Sequence, residues 1–274
     1  MTTVEGLQKA IKNRPVQELP SSINSKVDVR KDEVDGFPVY TIQPKGEKTP
    51  KMRILYIHGG SFVFSLSQYH WLFIADAAER LNAKITVPLY PLGPEYKIID
   101  MYNLLQPIYG EMATEESDSP FVGMGDSAGA TLLLGLTMTA LEAGASVAQK
   151  LVLSSPAMDF TFQNPDVYTA EKNDPFLATV GLKEAVRLTQ GDLTLDDKRI
   201  SPINGNTNRL PPTLMFVGEL DLLGPDEQLF ANSVKSSGGD IEVVKGEGML
   251  HNWVIFPIPE GKTAQNKVME WLAV

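Results

Sequence analysis

Cysteine is absent from the sequence, and that absence excludes disulfide staples, thiolate metal sites and cysteine nucleophiles together. It suits a cytoplasmic protein. Histidine is scarce: only His58, His70 and His251 occur, so any imidazole chemistry must draw on these three. Long apolar runs are missing as well. The most apolar stretch, Thr131 to Leu141, falls well short of the ~20 residues a membrane span needs and carries three threonines and a glycine. Residues 1–15 alternate polar and charged side chains without an apolar secretory core, so a soluble cytoplasmic chain with no membrane span is expected. Positive charge is also in deficit: 24 Lys plus Arg against 34 Asp plus Glu leave a net charge of −10. A nucleic-acid partner would need a local basic patch, and the sequence has none. No internal repeat, low-complexity tract or Gly/Ser-rich linker divides the chain.

What is present fits an ordinary globular protein. At 274 residues with 43% hydrophobic side chains, the chain can bury a substantial core unaided by metals. Val27–Arg30 and Val39–Ile42 read as strands flanking Asp35-Gly36, a dipeptide that favours tight hairpin turns. From there strands and helices alternate. Strands are expected at 54–57, 85–89, 121–124, 151–153, 213–217 and 241–244. Helices are expected at 69–82, 98–113, 128–143, 226–237 and about 262–273, with Pro107 kinking or dividing the second and Gly144 stopping the third. Strands separated by helix-length segments predict an α/β fold: a mostly parallel central sheet with helices on both faces. Residues 156–210 interrupt the alternation and contain apolar helical pieces such as Leu182 to Leu188. An insertion that long beside a parallel sheet is a candidate lid. The expected organisation is a single domain, 1–274, with a cap.

One segment carries a chemical signature in its context. Gly125-Asp126-Ser127-Ala128-Gly129 satisfies G-x-S-x-G between an expected strand and an apolar helix, where a sharp turn would expose Ser127 in a strained conformation. Side chains at the two glycines would collide with the neighbouring strand and helix, and the helix N-terminus directs free amides at the reaction centre. A serine hydroxyl needs a base. His251 follows the strand 241–244 and a Gly-rich loop, at the carboxyl end of the sheet where such folds place ligands. His70, at the start of an amphipathic helix, reads as an ordinary surface or core histidine. The base in turn needs an acid to fix its tautomer. Asp221 follows the strand 213–217 directly, Glu219 is its close competitor, and Asp226 is better explained as a first-turn helix acid. Finally, His58-Gly59-Gly60-Ser61-Phe62 can turn backbone amides toward a developing oxyanion, with the amide of Ala128 adding another.

Taken together, these segments resemble the hormone-sensitive-lipase-like (bacterial type IV) esterases of the α/β-hydrolase superfamily. His58–Phe62 resembles that family's HGGGF segment, Tyr90–Glu95 its YxLAPE turn, and Gly125–Gly129 its GDSAG elbow. Ser155-Pro156 with Asp159, Ser201-Pro202, Leu210–Pro212, Gly218–Asp221 and Gly248–His251 are similar to its later landmarks, in order. The resemblance covers roughly residues 50–274. It implies an α/β-hydrolase fold, a triad of Ser127, Asp221 and His251, and oxyanion donors at the amides of Gly60, Ser61 and Ala128. It also implies a cap from about 1–25 and about 156–210. Two departures stand out: Ser61 replaces the third glycine, and Gly93 the usual alanine.

The implied activity is hydrolysis of short- to medium-chain carboxylic esters through an acyl-enzyme, with a small-molecule ester as partner and no metal or cofactor. The same machinery could instead serve an amide hydrolase, of arylformamidase or peptidase-like type, acyl transfer to another alcohol, or a non-catalytic ligand-binding relative. Homo-oligomers are compatible with the sequence.

Overall fold

The structure, a computed structural model, describes residues 3–14, 19–46 and 49–273. Part of the expected N-terminal cap segment, residues 1, 2 and 15–18, lies outside the described residues. In chain order the elements are α1 (Val4–Lys12), β1 (Val27–Val34), β2 (Phe37–Pro44), β3 (Met52–Ile57), α2 (Gln68–Leu81), β4 (Ala83–Pro88), α3 (Ile98–Thr114), β5 (Phe121–Asp126) and α4 (Ser127–Glu142). They continue as β6 (Lys150–Ser154), α5 (Pro165–Ala170), α6 (Thr179–Thr189), β7 (Thr213–Gly218), α7 (Gly224–Ser236), β8 (Ile241–Gly246) and α8 (Pro259–Leu272).

The eight strands form one sheet in the order β1-β2-β4-β3-β5-β6-β7-β8. β1 and β2 form the expected hairpin, with Val34 opposite Phe37. Asp35 and Gly36 both take positive φ, 51° and 81°, as a two-residue turn matched to strand twist requires. β2 meets β4 antiparallel, and every later pairing is parallel. This is the α/β-hydrolase arrangement expected from the sequence.

The alternation of side chains along the strands divides the core in two. Ile54, Tyr56, Val122, Met124, Leu214 and Phe216 point to one face, where they pack with α2 and α8 through Trp71, Ile74 and Val268. Leu55, Ile57, Leu153, Met215 and Val217 point to the other, where α3, α4 and α7 cover them through Leu105, Leu133 and Phe230. Strands β3, β5 and β7 are buried along their whole length, which is why they read as unbroken apolar runs.

Of the two effects expected of Pro107, division does not occur: α3 runs through it from Ile98 to Thr114. Proline removes the hydrogen bond to the carbonyl of Asn103, but both residues sit on the exposed face, where water can serve that carbonyl. The buried face, including Met101, Leu105, Ile108 and Met112, holds the helix to the core. Gly144 ends α4 as expected, with φ of 68° just past the helix.

The sheet positions the site through its strand order. β3 leads on to β4 on one side while its other neighbour, β5, leads on to β6 on the opposite side, so a crevice opens between the carboxyl ends of β3 and β5. Ile57 pairs with Gly125 in register, which sets His58–Phe62 beside the β5–α4 turn. Within 156–210, α5 packs on α7 and α6 on α1. Leu7 and Ile11 of α1 share a small apolar cluster with Val63 and Ala185.

Candidate active site

The turn from β5 to α4 has no loop: β5 ends at Asp126 and α4 begins at Ser127, whose φ is 48°. A non-glycine residue at positive φ is strained, and here the strain thrusts the hydroxyl out of the turn. The flanking glycines behave as their positions predict. A Cβ on Gly129 would run into the carbonyl oxygens of Ile57 and His58, and one on Gly125 would crowd the backbone of Ala130.

Three side chains from the carboxyl ends of three strands meet at this turn. His251 Nε2 lies 2.8 Å from Ser127 Oγ, and His251 Nδ1 lies 2.7 Å from Asp221 Oδ2. Because a carboxylate only accepts, Nδ1–H donates to Asp221, which leaves Nε2 to accept from the serine hydroxyl. Asp221 is itself fixed by the Leu223 amide, which donates to Oδ1 at 3.0 Å. All three residues are buried. Burial opposes charging of His251. The charge and hydrogen bond of Asp221, with Asp174 and Asp126 further off, outweigh it and hold the imidazole pKa above its ordinary 6.5. Glu219, the competing acid, is exposed and instead accepts from the Gly248 amide at 2.7 Å. Asp226 does lie in the first turn of α7, yet it is buried and accepts from Asn164 Nδ2 at 2.7 Å.

Opposite Ser127, residues 60–62 take three consecutive positive φ values: 121°, 52° and 64°. The Gly60 carbonyl accepts from the Val63 and Phe64 amides at 3.0 and 2.8 Å, which curls the loop. Gly60 and Ser61 line the same pocket as Ser127, and Ala128 stands in the first turn of α4, where amides have no intrahelical partner. His58 braces this loop from beneath. Its Nδ1–H donates to the Gly59 carbonyl at 2.7 Å and its ring stacks on Tyr90, centroids 4.3 Å apart. Burial lowers its pKa to about 4, so it stays neutral.

The profile of the alpha/beta hydrolase fold family matches residues 54–255. The chain belongs to that family. An esterase from Acinetobacter venetianus is 26% identical over 232 residues, covering 83% of this chain and 76% of that protein. A Staphylococcus aureus crystal structure provisionally named an esterase is 30% identical, with a TM-score of 0.89 over 97% of this chain and 90% of that one. An esterase from the bacterial hormone-sensitive lipase family shares the fold at 22% identity, with a TM-score of 0.78 over 100% and 99% of the two chains. The expected membership in the α/β-hydrolase superfamily is thus borne out, and the chain is a carboxylic-ester hydrolase.

The hydrolase holds a pocket of about 360 Å³ at Ser127 and His251, walled by Phe64, Tyr69, Phe176, Leu177, Ile255 and Phe256. Its lining is overwhelmingly apolar. Among the described residues no group of three or more His, Asp or Glu could hold a metal, and no helix is long and apolar enough to cross a membrane.

Several residues of the site escaped the sequence reading. Asp126 is buried against Tyr56 OH at 2.7 Å, His70 Nε2 at 3.1 Å and Asn252 Nδ2 at 2.7 Å. Burial opposes its charge, but the electrostatic attraction and hydrogen bond of His70, with the bond from Tyr56, prevail and hold its pKa below the ordinary carboxylate value. Of the two readings left open for His70, surface or core, the structure shows a buried histidine, and a hydrogen-bonded one. The Ser67 amide donates to Nδ1 at 3.0 Å, so Nε2–H donates to Asp126. A carboxylate at the end of the apolar run of β5 was the available signal for this network. Phe176, stacked over His251 with centroids 6.1 Å apart, gave none.

Proposed function

We propose that this carboxylic-ester hydrolase works by acyl transfer through Ser127, with His251 as general base, Asp221 as its orienting acid, and the amides of Gly60, Ser61 and Ala128 as oxyanion donors. The observation that carries the reading is the hydrogen-bonded chain Ser127–His251–Asp221, at 2.8 and 2.7 Å. Ser127 Oγ attacks the ester carbonyl carbon as its proton passes to His251 Nε2, and the amides hold the negative oxygen. The imidazolium, stabilised by Asp221, returns that proton to the departing alcohol, leaving an acyl-enzyme. Water repeats the sequence: its proton goes to Nε2, its oxygen to the acyl carbon, and the acid leaves as Ser127 recovers its hydrogen.

The pocket of about 360 Å³ is near the lower end of the ~300–1,000 Å³ spanned by small-molecule sites, which supports short- to medium-chain esters. Segment 156–210, with α1 resting on α6, acts as the cap that closes it. A chain without cysteine is suited to the cytoplasm. The test is hydrolysis of p-nitrophenyl acetate, butyrate, octanoate and palmitate by the wild type and Ser127→Ala. Activity on the shorter esters should fall by about four to six orders of magnitude in the variant. Equal activity in both would overturn the assignment.

A further inference from the structure

We infer that Asp174 is a positioning residue that ties the wall of the substrate pocket to the loop carrying Asp221, and that the wall it holds, Phe176 with Leu177, sets which esters enter. The inference rests on the acyl-transfer reading and deepens it.

Phe176 is 48% exposed, an unusual place for a large apolar ring, yet it lies nearly parallel to the His251 imidazole, the planes 19° apart. Leu177 beside it is buried and lines the same pocket. Both belong to the irregular stretch between the short 3₁₀ turn Glu171–Asn173 and α6, where no helix or strand ladder fixes the chain. Specific bonds do so instead. Asp174 Oδ1 accepts from the amides of Phe176 at 2.7 Å and Leu177 at 2.8 Å. Asp174 Oδ2 accepts from the amide of Leu222, the residue after Asp221, at 2.9 Å. One carboxylate therefore joins the pocket wall to the acid loop, two segments 48 residues apart in sequence. Glu171 closes the other end of the stretch on the Thr179 amide at 2.7 Å, and Asn164 anchors α5 to Asp226.

The placement has an electrostatic side. The carboxylates acting on His251 are Asp221, Asp174 and Asp126, the last of them bonded to His70; across the imidazole stands the neutral Phe176 ring. All three charges favour the imidazolium, so removing Asp174 makes His251 a weaker base. A purely structural brace would lower the melting temperature without moving the pH profile of catalysis.

The experiment compares the wild type with Asp174→Ala, Asp174→Asn, Phe176→Ala and Ser127→Ala. It measures kcat and KM for p-nitrophenyl acetate and octanoate between about pH 5 and 9, with thermal melts to establish folding. Asp174→Ala should lower kcat/KM on the order of tenfold, change the acetate-to-octanoate preference in the same direction as Phe176→Ala, and move the pH midpoint down. An asparagine oxygen can still accept from the Phe176 and Leu177 amides. Asp174→Asn should therefore keep the wild-type preference while its midpoint moves down. Wild-type preference and midpoint in a folded Asp174→Ala would overturn the inference. If that variant does not fold, an unmoved midpoint in Asp174→Asn, or an unchanged preference in Phe176→Ala, would overturn it equally. Full activity in Ser127→Ala would overturn the acyl-transfer reading and this inference with it, whereas silent Asp174 variants beside a dead Ser127→Ala sink the inference alone.

Discussion

Asp126, the last residue of β5, and Asn252, the residue after His251, are joined by a 2.7 Å hydrogen bond. One is covalently next to Ser127, the other next to His251, so the bond clamps the two side chains of the proposed acyl transfer through their neighbours. Asn252 is held in turn, its Oδ1 accepting from Ser154 Oγ at 3.0 Å and its amide donating to Ser155 Oγ at 3.0 Å. Its φ of 57° is a left-handed conformation that asparagine tolerates well. Removing the clamp by Asn252→Ala should lower kcat by about 10- to 100-fold with little change in KM, because the loss is of alignment rather than of substrate contact. Steady-state kinetics on a short ester checks this; a raised KM at unchanged kcat would contradict it.

The pH dependence follows from the carboxylates around His251. They favour its protonated form, and only the neutral form can take the serine proton. Thus kcat/KM should climb with pH through a midpoint above 6.5, the ordinary value for this side chain. Asp221→Asn should move that midpoint down and cost about 10⁴-fold in kcat. A wild-type midpoint below 6.5 would contradict the arrangement.

Glu227, at the start of α7, is fully buried, and neither of its carboxyl oxygens has a hydrogen-bond partner among the described residues. Burial first, then the charges of Asp221 and Asp226, raise its pKa well above the ordinary 4.5. The folded chain keeps this proton where the unfolded chain gives it up, so stability falls as pH rises from about 4.5 toward the raised pKa. Glu227→Gln removes the titration while keeping the shape. Its melting temperature should gain on the wild type at pH 7 relative to pH 4, by roughly 2–4 °C for each kcal/mol relieved. Thermal melts at the two pH values decide it, and an equal difference at both would count against a protonated Glu227.

The parts legible in the sequence were those written in local pattern. Asp35-Gly36 between strand-like runs gave the hairpin, and strands separated by helix-length segments gave a mostly parallel sheet covered on both faces. Ser127, His251 and Asp221 could be chosen because each follows a strand at its carboxyl end, the edge where such sheets gather their loops. Pro107 leaves its helix undivided because the freed carbonyl of Asn103 lies on the exposed face, where water can serve it. Asn252, Asp174 and Phe176 were silent for a different reason. Their importance lies in bonds and contacts between segments brought together by the fold, separated by 126 residues in the case of Asp126 and Asn252.

The most direct measurement of the central claim is covalent trapping. The wild type is treated with diethyl p-nitrophenyl phosphate, which phosphorylates an activated serine, and the modified peptide is identified by mass spectrometry. The account predicts one equivalent of label on Ser127, none in Ser127→Ala, and labelling in His251→Ala slowed by several orders of magnitude. Label on another residue, or undiminished labelling without His251, would contradict the account.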